Sequence, residues 1–158
     1  HYPVAQVRHI LIKAVADSDG SYTDKAKEIA KNRAEEILAE FNAGDKTEDS
    51  FAELAKDYSE DTGSAENGGL YDTVYKGATV EEFDKFCFEG HKKGDTAIVY
   101  GESSSYAGYH VMYYVGEGDL YSNLLAKNDL VNTTVSQWVE DQVNALTVTN
   151  GWRLRIAG

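Results

Sequence analysis

The stretch Gly108-Tyr109-His110-Val111-Met112-Tyr113-Tyr114-Val115 limits what this chain can fold into. Its β-branched and aromatic residues, with Gly116 after them, predict a β-strand. Side chains alternate across a strand, so His110, Met112 and Tyr114 share one face and Tyr109, Val111, Tyr113 and Val115 the other. A second such stretch, Val7-Arg8-His9-Ile10-Leu11-Ile12, lies near the amino end and also carries a histidine in its middle. If the two strands pair in one sheet, His9 and His110 can meet on one face. Each histidine alone reads as a satisfied structural residue; the two together call for a joint explanation.

The segments between them read in order. A helix is predicted from about Asp24 to Phe41, with Ala26, Ile29, Ala30, Ala34, Ile37, Leu38 and Phe41 at helical spacing and Gly44 beyond its end. Ser50-Phe51-Ala52-Glu53 has the form of a capping box and opens a short helix with Phe51, Leu54, Ala55 and Tyr58 inward. Ser59 to Leu70 lacks periodicity and reads as an ordered loop. Thr79-Val80-Glu81-Glu82 is a second capping box, whose helix buries Val80, Phe83, Phe86 and Cys87. A short strand follows over Asp95 to Tyr100. After Gly118 the pattern predicts a short helix, a better one over Thr134 to Ala145 with Val135, Trp138 and Val139 as an apolar stripe, and a hairpin over Leu146 to Ile156 turning at Asn150-Gly151. Such an order predicts an α+β fold, a small and mostly antiparallel sheet flanked by helices. Residues 4–118 form the main domain of this reading and residues 119–158 a carboxy-terminal extension.

Charge and cysteine content exclude several roles. Fifteen basic against 27 acidic residues give a net charge of −12, which argues against nucleic acid and anionic membranes as partners. Cys87 is the single cysteine, so neither an intrachain disulfide nor a cysteine-rich metal site can form. No apolar run reaches transmembrane length. The chain opens on His1 rather than methionine, which reads as a trimmed fragment whose targeting signal or anchor is missing.

Val7-Arg8-His9-Ile10-Leu11, Phe51-Ala52-Glu53-Leu54-Ala55, Tyr58-Ser59, Gly68-Gly69-Leu70, Glu82-Phe83 and Gly108-Tyr109-His110-Val111 resemble the parvulin family of peptidyl-prolyl cis/trans isomerases. They come in that family's order and near its spacing, over about Val4 to Gly118. Asn67 before the double glycine makes the chain most similar to PrsA-type extracytoplasmic bacterial foldases. The resemblance implies a βαααβαββ-like fold with a four-stranded sheet and a cleft on one face. It implies that His9 and His110 are paired through opposite tautomers, with Asp61 where the family has cysteine or aspartate. Leu70 and Phe83 would line a proline pocket. Thr79 stands where the family commonly has methionine, and has a second reading as a helix cap. Ser105 lies near a serine or threonine that supports the histidine pair. Phosphate-directed relatives carry basic residues in the loop after the first strand; here Asp17 and Asp19 occupy it, which implies no preference for phosphorylated substrates. The implied partners are unfolded or proline-containing protein clients, and the implied location is extracytoplasmic, secreted or membrane-anchored. The extension is expected to pack on the main domain or to form a homodimer.

The chemistry suits these residues. Rotation about an X-Pro bond crosses a barrier of about 20 kcal/mol set by amide resonance, and no bond breaks. The reaction therefore needs no nucleophile, metal or cofactor. An apolar grip on the proline ring and polar groups beside the twisted amide are sufficient means. Two other uses compete: a non-catalytic chaperone module that binds extended clients in the same cleft, and a zinc site made of His9, His110 and Asp61, which nothing in the spacing favours.

Overall fold

A computed structural model describes residues 2–153, with side chains as far as residue 145. Its elements run β1 (Pro3–Lys13), α1 (Asp24–Ala43), α2 (Glu48–Tyr58), a 3-10 turn (Ala65–Asn67), β2 (Leu70–Val74), α3 (Glu81–Phe88), β3 (Thr96–Glu102), β4 (Ala107–Leu120) and α4 (Tyr121–Arg153). The expected α+β class holds.

One four-stranded sheet has the order β2-β1-β4-β3, so the first strand and the last lie side by side at its centre. β1 pairs antiparallel with β2 and β3 antiparallel with β4. Ala14 N donates to Ala107 O while His9 faces His110, so β1 and β4 also run in opposite directions. Alternation then sorts the side chains. Ile10, Ile12, Val111 and Tyr113 pack under α1 and α2 with Ala34, Ile37, Phe41 and Phe51. Ala5, Val7, Met112 and Tyr114 pack under α3 with Phe83, Phe86 and Cys87. His9 and His110 continue the second set, so strand geometry puts both on the α3 face.

Local capping signals account for the starts of α1 and α2. Thr23 caps α1 by accepting from Ala26 N. α2 begins earlier than expected: Thr47 is its cap and exchanges hydrogen bonds with Ser50, so Thr47-Ser50 is the capping box and Glu53 pairs with Lys56 instead. β2 is absent from the element order read off the sequence, because Tyr71, Asp72 and Thr73 are exposed and only Val74 is buried, leaving no alternation to read.

The chain divides into two compact units, Pro3–Gly118 and the remainder. In the second, Tyr121 N donates to Tyr2 O at 3.0 Å and the two rings stack at 5.7 Å. α4 is one helix where two helices and a hairpin were expected. It passes through Asn150-Gly151, so the hairpin does not form as far as Arg153. Its expected end, 154–156, lies outside the described residues. A helix propagates more readily than it starts, and a two-residue turn signal needs two strands ready to pair.

Candidate active site

β1 and β4 bring His9 and His110 together in the floor of a cleft of about 540 Å³. The rings are buried, at 2% and 4% exposure, and their Nδ1 atoms lie 3.0 Å apart. His9 Nε2 lies 3.0 Å from Asp61 Oδ2, and His110 Nε2 lies 3.0 Å from Tyr106 Oη. Four side chains thus form one unbroken line, Asp61–His9–His110–Tyr106.

Asp61 fixes its direction. The carboxylate also accepts from Ser64 Oγ at 2.6 Å, Tyr71 Oη at 3.0 Å and Gly63 N at 3.2 Å. The His9 contact first, then those hydroxyls, hold its carboxyl well below the usual range, so Asp61 can only accept. Burial, reinforced by neighbouring His9, lowers His110 to about 3, so this ring is neutral near neutral pH. With one proton on each ring, a single arrangement satisfies every contact. His9 donates from Nε2 to Asp61, His110 donates from Nδ1 to His9 Nδ1, and the Tyr106 hydroxyl donates to His110 Nε2. The two rings are then opposite tautomers.

Apolar groups close the site. Phe83 on α3 is 2% exposed, and its ring meets His9 edge-on at 5.4 Å and His110 at 5.3 Å. It is at once core and cleft wall. Tyr71 stacks on His9 at 4.7 Å and 17°, covering the imidazole, and burial with Asp61 pushes its phenol up to about 12.

Leu70 and Ser105 are placed differently from expectation, and Thr79 keeps its expected place in the cleft but not its reading as a cap. Leu70 is not in the cleft: it pairs with Arg8, which points to the opposite face of the sheet, and Tyr71, paired with Val7, takes the inward position. Ser105 lines the cleft but bonds Ser103 rather than a histidine; Tyr106, next in sequence, supports the pair. Thr79 lines the cleft without capping α3, whose cap is Val80 and has no side-chain bond. Thr79 Oγ1 is buried with no hydrogen-bond partner. The sequence reading omitted Ser64, Tyr71 and Tyr106. For Tyr106 the available signal was a lone aromatic hydroxyl after Ser103-Ser104-Ser105, one position before β4.

The double glycine holds this floor in place. Gly68 and Gly69 have φ of 66° and 69°, and a Cβ on Gly69 would stand 2.1 Å from His9 O. That approach lets Gly69 O accept from His9 N at 2.9 Å. From the other face, Arg8 donates to Asn67 O and Gly68 O at 3.0 and 2.9 Å, clamping the loop onto β1.

The sequence model of the PPIC-type PPIase domain matches residues 2–115. The chain belongs to that family. Among its PPIC-type relatives, the foldase protein PrsA of Staphylococcus aureus (strain Newman) is 36% identical over 139 residues, 88% of this chain and 40% of that protein. The chain therefore spans less than half the length of the curated relatives it matches. A crystal structure described as peptidylprolyl isomerase (PrsA) from Bacillus anthracis superposes with a TM-score of 0.52 at 28% identity, over 83% of this chain and 49% of that one. The corresponding Bacillus cereus protein gives 0.51 at 30% identity, over 88% and 45%. The PPIC-type domain and the cleft coincide: every member of the Asp61–Tyr106 line falls inside the matched residues.

Proposed function

We propose that this domain catalyses cis/trans isomerisation of X-Pro bonds in extended protein clients, without cofactor or covalent intermediate. The observation that carries this reading is the buried His9–His110 pair, held by Asp61 beneath the Phe83 wall. Phe83, with Thr79 and Tyr71 beside it, supplies the surface against which a pyrrolidine ring packs. Excluding water from the amide weakens the hydrogen bonds that favour its planar, polarised form, and oriented dipoles then favour the twisted one. The histidines serve the geometry of that polar floor, since rotation needs no net proton movement. A proline-peptide assay tests this: acceleration by the folded domain is expected, with strong loss in His9→Ala and Asp61→Ala. No acceleration by a well-folded sample refutes it.

Two features favour a second reading, a chaperone module that binds extended clients without turning them over. Tyr71 covers His9, and Thr79 puts a polar group into the proline wall. Suppressed client aggregation with an unchanged isomerisation rate would select it.

Foldases of this family act on proteins, and we propose unfolded secreted proteins as clients and an extracytoplasmic location, in keeping with the PrsA relatives. A second copy of the chain is our proposed cover for Val131, Val135, Trp138 and Val139 on α4, which are 46–63% exposed. Sedimentation should show a concentration-dependent dimer that Trp138→Glu abolishes; a monomer at high concentration refutes it.

A further inference from the structure

We infer that Tyr106 is the positioning residue that ends the buried line, and that its oxygen receives a backbone N–H of the bound peptide. The second half rests on the isomerase reading above.

His110 commits its one proton to His9, so His110 Nε2 can only accept, and the group 3.0 Å away is the Tyr106 hydroxyl. Tyr106 has one proton and spends it inward. A phenol oxygen retains acceptor capacity after donating, and among the described residues no donor reaches this one. Tyr106 is half-buried and lines the cleft. It therefore offers substrate an acceptor rather than a donor. Asp61, at the far end, sets that polarity through both imidazoles.

The fold reserves room for this end of the line. A Cβ on Gly101 of β3 would stand 2.8 Å from His110 Nε2 and 3.0 Å from Tyr106 Oη, so a larger residue there would intrude on the contact itself. Backbone bonds pin Tyr106 on both sides: Ser103 N donates to Tyr106 O, and Ala14 N to Ala107 O, each at 2.8 Å. The main chain that carries the phenol is therefore fixed by the strands.

A prolyl nitrogen carries no hydrogen. The nearest peptide donors are the N–H of the residue before proline and that of the residue after it. Carbonyls cannot use the Tyr106 oxygen, and these N–H groups can. Anchoring one of them would hold one side of the bond while the other turns.

Nitrogen-15 spectra of the histidines and turnover of N-methylated peptides test the two halves separately. His110 Nε2 should resonate as an unprotonated, hydrogen-bonded nitrogen and move toward the free position in Tyr106→Phe. Peptides N-methylated before or after proline are then compared with the parent. Methylation at one position should lower wild-type kcat/KM about three- to tenfold, the worth of one hydrogen bond, and leave Tyr106→Phe unaffected. A protonated His110 Nε2, or equal methylation penalties in both proteins, overturns the inference. A wild type that turns over no proline peptide overturns the isomerase reading and the peptide contact together, while the nitrogen spectrum still decides the place of Tyr106.

Discussion

His9 Nδ1 and His110 Nδ1 face each other at 3.0 Å, so neither can carry a proton there unless the other accepts it. The two rings behave as one hydrogen-bonded unit contributed by the first strand and the last. Loss of either leaves a buried polar nitrogen without its partner.

His9→Ala and His110→Ala should each lower kcat/KM roughly tenfold or more and destabilise the fold by about 1–3 kcal/mol. The double variant should cost clearly less than the sum, since the second change removes the group stranded by the first. Peptide turnover and urea unfolding of all three proteins give the coupling; strict additivity would refute the pairing.

Two groups shape stability in acid. His110 is lowered from 6.5 to about 3, by burial first and His9 second. The unfolded chain therefore takes up a proton below 6.5 that the folded one refuses, and stability falls as pH drops from 6.5 toward 3, by at most about 1.4 kcal/mol per unit. Asp61 is held below its ordinary 3.8. Its contribution is complete above that value and fades beneath it. Urea midpoints across this range should lose the upper slope in His110→Asn and only the part below 3.8 in Asp61→Asn. An unchanged slope in His110→Asn counts against this account.

Thr79→Val replaces an unpartnered buried hydroxyl with a methyl group of the same shape. It should raise stability by about 1 kcal/mol and leave turnover the same or faster. A lower urea midpoint would mean that the hydroxyl has a partner after all.

Gly69→Ala combines a φ of 69° with a Cβ 2.1 Å from the backbone oxygen of His9. A loss of about 3 kcal/mol or more is expected, with the His9 ring displaced. A near-wild-type melting temperature would show that the loop can shift without disturbing β1.

Much of this was legible because it is periodic. β1, β4 and α1 are long and regular, so their faces could be assigned, and with them the meeting of His9 and His110. The burial of Phe83 followed from the apolar stripe of α3, whereas its place in the cleft was implied only by the family resemblance. The failures sit where tertiary pairing outranks local pattern. β2 has only Val74 buried, so nothing in its sequence says that Tyr71 rather than Leu70 turns inward; its register against Val7 and Arg8 decides that. Thr79 looked like a cap because Glu82 follows at capping-box spacing, yet α3 starts one residue later, from Val80. Ser105 stands near the family's supporting serine or threonine, and Tyr106 had no place in that reading; reach decides instead, because the longer side chain spans to His110.

The central adjacency of β1 and β4 means that the reactive floor belongs to no single end of the chain. A fragment stopping near Gly90 would hold His9, Asp61, Tyr71 and Phe83 yet lack His110 and Tyr106, while the complementary piece would hold only those two. Each half should be silent alone, and turnover should return only when both associate, making this domain a natural candidate for a split reporter.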